Sequence, residues 1–426
     1  MNAKPFALPA SLSRQLTAAP HRLLFCVGAL NVLLAMTWWA LWLVNTRWQL
    51  FAMPQPAVWA GWMHAMIMQY QVLPPFMFGF LLTVFPRWMN QPALTRRHYV
   101  PVGIGLFGGQ ALTLIGLCAH PMALHLGIVL TILGWSYGLF LLLRLLWRET
   151  GRTWHALSCA FALTLGLTGL IAFAIYLHHP DPLLVFVAIK FGSFGLLLPM
   201  FFTVCHRMLP FFAASAIPGY RAWKPMWVLG VFWILVLAHL GLELTHAYAG
   251  LWLADLPLAA LTSVLLWKWV AMYMEVRVSR AKDAQERLRV SMPALLRVLF
   301  IGFAWLPIAL LLYSGQSLWY AATGAYVLGR APAHALFVGF FGSLLVAMVT
   351  RVTQGHSGNP LQLGRIAGCT FVLLQVVTVV RVTAEVMPDA MAWQAIAAIG
   401  WLLAFMPWVL RSVWTYLTPR SDGKSG

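Results

Sequence analysis

Long apolar runs separated by short polar connections dominate the chain. They fall near residues 23–44, 58–86, 99–119, 122–143, 155–177, 183–206, 225–247, 249–275, 294–313, 333–350, 366–387 and 390–412. A helix needs about 20 apolar residues to cross the hydrocarbon of a bilayer, and most of these runs are that long. Within lipid every backbone N–H and C=O must be satisfied internally, which leaves helices or a closed barrel. The runs are continuous instead of alternating with period two, so the barrel is excluded. The pattern predicts an all-α, polytopic transmembrane helix bundle of about twelve spans. Residues 1–22 form an N-terminal tail, 23–412 a single helical domain and 413–426 a C-terminal tail. The less apolar stretch from Ser314 to Ala333 reads as an interfacial helix leading into the tenth span. Glu275 to Val290 reads as a helical extension beyond the eighth. No internal repeat is evident.

Composition agrees with a lipid solvent. Hydrophobic residues make up 61% of the 426, charged residues 9%, and the mean hydropathy is +0.80. Soluble domains carry about 25% charged residues, enough to coat a water-facing surface. The first run, from Leu23, is too long for the apolar core of a cleaved signal and is read as a retained helix.

The formal net charge of +18 would suggest nucleic acid in a soluble protein. Here the charge sits in short connections. One set is basic: Arg87/Arg96/Arg97, Arg144/Arg148/Arg152, Arg221/Lys224, Arg277 to Arg289, and Arg351/Arg365. The other set is nearly free of Lys and Arg, with Arg47 and Arg330 the exceptions. The basic set follows even-numbered spans, and Lys4, Arg14, Arg411, Arg420 and Lys424 fit the same side. By the positive-inside rule both termini are expected in the cytoplasm, with no role for nucleic acid.

Five cysteines (Cys26, Cys118, Cys159, Cys205 and Cys369) form no CxxC pair, which argues against a disulfide framework or a thiolate zinc site. The sequence contains no P-loop, GxSxG, HExxH or CxxCH. The chemistry must come from polar side chains set in apolar helices, where they are costly and usually face the protein interior. In the second span, His64, Met68 and Gln71 share a helical face, and Pro74 and Pro75 should kink the helix. Imidazole with thioethers suits haem iron or copper; a packing histidine bonded to a carbonyl is the plainer alternative. In the seventh span, His239, Glu243 and His246 stand at i, i+4 and i+7, a spacing for metal or proton handling, or for an interfacial ladder. His334 opens the tenth span. About 17 helical residues, or some 25 Å, separate it from Arg351, so His334 and His356 cannot ligate one metal. His64, His239, His246 and His334 make an outer layer. His206, Arg207, Arg351 and His356, with His21 and Arg22, make an inner one. The inner arginines read either as snorkelling side chains or as a clamp for haem propionates. Lys190 needs a partner, with Asp255 and Glu243 as candidates, and Arg381 and Glu385 stand at i, i+4.

Three segments together resemble the NnrS family of bacterial membrane proteins. They are "HAMIMQYQVLPPFMFGFLLTVFPRW" from His64, "HRMLPFF" from His206 to Phe212, and "HALFVGFFGSLLVAMVTRVTQGHSGNPL" from His334. The opening "APHRLLFCVGALNVLLAMTWWALWL" is similar as well, so the resemblance runs from Ala19 to about Leu361. It implies a haem- and copper-containing protein of the bacterial cytoplasmic (inner) membrane, acting in nitric oxide metabolism or resistance to nitrosative stress. Many members read His-x-His-Glu-Met where this chain has His64, Ala65, Met66, Ile67 and Met68. The second His and the Glu are absent, and Met66 or Met68 is left as a soft ligand.

The combined expectation is haem, with copper as a further candidate, in the outer half of the bundle. His64 and His334 are the expected iron ligands, and His239, Glu243 and His246 lie at or near a second metal site. Met68, His206, Arg207 and Arg351 are expected to contact the cofactor. The partners are the lipid bilayer and a small gaseous ligand such as NO. The alternative is a transporter whose embedded ions line a substrate or proton path. Histidines gathered in layers favour the metal, since a transporter tends to place its ions at midplane breaks.

Overall fold

The computed structural model describes residues 10–280 and 292–421. Its architecture is all-α, with twelve helices long and apolar enough to cross a membrane among the described residues. We number them α1 (Pro20–Trp48), α2 (Ala60–Trp88), α3 (Arg96–Cys118), α4 (Pro121–Trp147), α5 (Trp154–Tyr176), α6 (Pro182–Ala216), α7 (Met226–Leu244), α8 (Tyr248–Ser279), α9 (Ala294–Thr323), α10 (Ala331–Ser357), α11 (Arg365–Val386) and α12 (Ala390–Leu417). An even number of antiparallel crossings leaves both chain ends on one face, here called the terminal face. The opposite one is the far face.

The last helix packs against the first, so the bundle closes on itself. On the terminal face, Arg22 closes the seam by donating to the Thr415, Tyr416 and Thr418 carbonyls at the end of α12, groups that a helix C-terminus leaves without partners. On the far face, Arg47 of α1 grips Asp389, just before α12, with Nη2 2.7 Å from Oδ2. Elsewhere glycines let helices approach. A Cβ on Gly105 of α3 would stand 2.5 Å from the Cα of Gly134 of α4. Small residues at such crossings are how helices gain contact in lipid, where apolar burial gives little drive.

Three central helices share one design. Each of α2, α6 and α10 is interrupted by a π-helical segment: Met68–Val72, Phe191–Leu197 and Ala335–Gly342. Each then runs to an arginine near the terminal face: Arg87, Arg207 and Arg351. These are the second, sixth and tenth of the twelve, one in every run of four. The stretches ending in those arginines read GFLLTVFPR, PMFFTVCHR and SLLVAMVTR. The three helices thus share a pattern at an interval of four, a weak repeat of the kind that twelve helices can hide in a sequence with no convincing one. It is carried by backbone irregularity and a single charge, both invisible to a search for repeated residues. In α2 the cause is Pro74 and Pro75, which cannot donate. The Leu73 N–H reaches back five residues to the Met68 carbonyl.

Two expected elements differ. Ser314 to Thr323 is the end of α9, not a separate interfacial helix. Ser314 and Ser317 are buried and donate to the Leu310 and Tyr248 carbonyls, and Gly324, at φ +71°, ends the helix. Ser314, Gln316 and Ser317 are buried in the bundle and do not lie at an interface. Of the extension expected at Glu275 to Val290, α8 runs to Ser279 and residues 281–291 lie outside those described.

Candidate functional site

The π segments surround a cavity of about 460 Å³ in the far half of the bundle. Ligand pockets span about 300–1,000 Å³, so this one has room for a small molecule or cofactor. Helices α1, α2, α6, α9, α10, α11 and α12 contribute to its wall. The wall is largely apolar, with Val32, Met36, Phe337, Val338, Val377 and Trp401 among its residues.

His64 and His334 both line this cavity. The His64 ring stacks on Trp39 with centroids 4.2 Å apart and planes 9° from parallel, and Trp39 in turn stacks on Trp42. No hydrogen bond to the His64 ring forms among the described residues, so its orientation comes from packing. His334 is fixed differently. Its Nδ1 lies 2.9 Å from the Arg330 carbonyl oxygen. An oxygen acceptor there places the ring proton on Nδ1 and leaves Nε2 with a free lone pair. A backbone carbonyl on the second nitrogen is the usual companion of a metal-binding imidazole.

Cations collect at the far-face mouth. Arg330 lies over the Trp59 ring at 5.2 Å, and Arg381 donates to Glu385 Oε1 at 2.7 Å; both arginines line the cavity. Glu385 also accepts from the Arg330 backbone N–H and from Gln394 Nε2, joining the mouth to α11 and α12. The i, i+4 pairing expected of Arg381 and Glu385 is present.

Beside the cavity lies a buried ionic chain. Lys190 of α6 lines the wall, and its Nζ is 2.8 Å from Glu243 Oε2. Glu243 Oε1 is 3.6 Å from His239 Nε2, and His239 Nδ1 is 2.6 Å from Asp255 Oδ1 on α8. His239 and Asp255 are fully buried. The face of α7 bearing His239 and Glu243 thus points inward. His246 does not share it. The helix ends at Leu244, and His246 sits at φ +56° on the surface, with its Nδ1 2.6 Å from the Tyr248 hydroxyl. The i+7 spacing presumed a helix that has already ended.

Other expected residues separate. Met68 lines the cavity, whereas Gln71 bonds to Thr113 and Thr131, away from it. The π turn shifts the register by one residue, so Val72 and not Gln71 follows Met68 on the cavity wall, beside Gln69, which is bonded to Ser193. Met66 is buried and does not line the cavity. His206, Arg207 and Arg351 lie outside the cavity wall. His206 meets His155 at 3.0 Å, Arg207 lies 4.1 Å from the Trp88 ring centre, and Arg351 lies 4.1 Å from that of Phe212. His356 lies beside His21, with ring centroids 4.3 Å apart and planes tilted by 35°, separate from His334 as the helical distance required. Among the described residues, no group of three or more His, Cys, Asp or Glu side chains is placed to hold one metal ion. A copper site built from His239, Glu243 and His246 is therefore not formed: His246 is turned away, and Glu243 is engaged by Lys190.

Sequence reasoning passed over Arg330, Trp39 and Tyr313 as parts of the site. Arg330 had carried a signal, as one of two basic residues in connections otherwise free of them. Trp39 and Tyr313 were two of many interfacial-type aromatics.

The family model described as NnrS protein matches residues 15–420. No curated protein matches the chain.

Proposed function

The chain belongs to the NnrS family, and from that premise we propose that it is a haem protein of nitric oxide metabolism or nitrosative stress resistance. The far-side cavity is its haem site, where His64 and His334 are the residues that would hold the iron. One observation carries this reading: two imidazoles from α2 and α10 face a single, mostly apolar cavity. Bound haem supplies an iron that binds nitric oxide and exchanges single electrons. The residues present fit such a group. His334 offers Nε2 while Nδ1 is held by the Arg330 carbonyl, and His64 is held by Trp39 with neither nitrogen hydrogen-bonded among the described residues. The apolar wall accepts the macrocycle, and Arg330 and Arg381 at the mouth suit carboxylate groups. Met68 is the one thioether of the Met66/Met68 pair positioned as a soft ligand for copper in the same cavity. The terminal face, which carries the basic connections, is the cytoplasmic side of a bacterial inner membrane.

The test is an optical spectrum of the detergent-purified protein, oxidised and dithionite-reduced. His64→Ala or His334→Ala should abolish or shift the Soret band, while His356→Ala keeps it. A wild-type spectrum in both single variants would refute the ligand assignment.

A second reading, a transporter, is favoured by the three interrupted helices that meet at the cavity, since broken helices line substrate sites in transporters. A haem-free protein that moves a solute into liposomes would support it.

A further inference from the structure

The chain Lys190–Glu243–His239–Asp255 runs from the cavity wall into the bundle, and only its first member reaches the cavity. The other three need a reason to be there. Buried ions survive when paired, and here the count decides the pairing. With both carboxylates ionised, one ammonium leaves one negative charge, which a proton on the His239 imidazole cancels. His239 Nδ1 is committed to Asp255 at 2.6 Å. Its Nε2 is buried without a hydrogen-bond partner and faces Glu243 Oε1 at 3.6 Å. Among the described residues that nitrogen is aimed at one carboxylate, Glu243. The ring also touches the cavity wall: it stacks on Phe194 at 3.6 Å and meets Tyr313 edge-on at 5.7 Å, and both residues line the cavity.

We propose that this chain is a single-proton reservoir that balances charge in the cavity, with His239 Nε2 as the atom that takes and gives up the proton. The proposal rests on the haem reading above. When a one-electron donor reduces the cofactor, one negative charge enters the cavity. At pH values alkaline enough to leave His239 unprotonated in the oxidised protein, one proton from bulk water would then add to Nε2 and take the group from net charge minus one to zero. Reoxidation returns that proton to water. No bond other than N–H forms or breaks. The groups facing His239 are Glu243 on its own helix, Asp255 on α8 and Tyr313 on α9; Lys190 on α6 meets Glu243, and Tyr248 and Tyr326 lie near Glu243. The three tyrosines are neutral over the working range, so the charge count stands. His239 is a positioning and proton-holding residue and not a ligand, and Lys190 presents the group's charge to the cavity.

The experiment is a redox titration of the purified haem protein at a series of pH values, with infrared reduced-minus-oxidised spectra from the same samples. In the wild type the midpoint potential should fall as pH rises, and the infrared difference should contain an imidazole signal. In His239→Gln both should vanish while the Soret band stays. Should that variant not fold, the charge-neutral double variant Lys190→Met/Glu243→Gln keeps the question open to test. It removes the carboxylate facing Nε2, so the pH-dependent range should move to lower pH. A pH-independent wild type, a slope that persists in His239→Gln, or an unmoved range in the double variant overturns the proposal and leaves the haem reading intact. A wild-type protein without haem overturns both.

Discussion

Lys190 Nζ and Glu243 Oε2 meet at 2.8 Å between α6 and α7, within a span where neither charge is tolerable alone. Removing one partner of a buried pair typically costs about 3–5 kcal/mol, because the other charge is left uncompensated. The Lys190 side chain keeps 22% of its surface open, so the lower end of that range applies. Lys190→Met should lower the thermal stability of the detergent-solubilised protein markedly. The double variant Lys190→Met/Glu243→Gln should recover most of the loss. Equal damage in the single and double variants would show that the pair contributes through packing and not through charge.

The α3–α4 crossing gives a prediction free of any cofactor. A Cβ on Gly105 would press on the Cα of Gly134 at 2.5 Å, and neither is a flexible side-chain end that could yield. The helices would have to separate. Gly105→Ala should destabilise by about 1–3 kcal/mol, the usual cost of overpacking. Gly230→Ala on α7, where nothing lies within 4 Å, should be neutral or slightly stabilising. Thermal unfolding of the two variants side by side tests the contrast.

What the sequence made legible followed physical period and length. Twelve apolar runs became twelve helices because each is as long as the hydrocarbon requires, and a lone buried charge such as Lys190 had to find Glu243 or Asp255. What it hid followed from departures from the ideal helix. A face drawn at 3.6 residues per turn placed Gln71 with His64, but the π turn at Met68–Val72 gives that place to Val72. The same period placed His246 beneath Glu243, but the helix stops at Leu244. Ser314 and Ser317 looked like an interface because polarity in sequence does not say whether the partner is water or a carbonyl. His64 and His334 are 270 positions apart in the chain; a shared layer was readable from depth in each helix, a shared cavity only from the way α2 and α10 face it across the bundle.

The Arg47–Asp389 contact supplies a pH test. The Arg47 guanidinium, together with the Ala392 N–H, holds the Asp389 carboxyl below the usual carboxylate range. A depressed folded pKa stabilises above the unfolded value, near 4, and that contribution disappears as pH falls through the folded value. Asp389→Asn keeps the cap on Ala392 and loses the charge. It should unfold slightly earlier than wild type at pH 7, and the gap should close below about pH 3–4. Both side chains are 42% exposed, so salt should shrink the effect at neutral pH. A gap that persists in acid would assign the effect to hydrogen-bond geometry.

Orientation can be checked independently of chemistry. The connections on the terminal face carry most of the arginine and lysine of the chain, and such loops are retained in the cytoplasm. A reporter active only in the periplasm should be silent when fused after Gly426 and active when inserted in the far-face connection between Trp48 and Ala60. Activity at Gly426 would invert the topology and move the cavity to the cytoplasmic half.

The mouth of the cavity separates two places where carboxylate groups of a cofactor could be held. Arg207 and Arg351 near the terminal face were one candidate, but their guanidiniums lie on aromatic rings and neither residue lines the cavity. Arg330 and Arg381 line it on the far side. Arg381 is already bonded to Glu385, so its replacement would also strand a carboxylate and confuse the readout. Arg330 is the cleaner choice, since its guanidinium lies over Trp59 and its tie to Glu385 runs through the backbone N–H, which every substitution except proline keeps. Its carbonyl also holds His334, and that bond too survives a side-chain change. Arg330→Gln should therefore leave the imidazoles in place and weaken cofactor retention. A charge-assisted bond to a carboxylate contributes about 1.5–3 kcal/mol, roughly a tenfold to hundredfold loss of affinity. Haem transfer from the purified variant to excess apomyoglobin should be faster than from wild type, while Arg351→Gln should match wild type. The opposite pattern, with Arg351→Gln releasing haem and Arg330→Gln retaining it, would move the cofactor to the terminal side and sever it from His64 and His334.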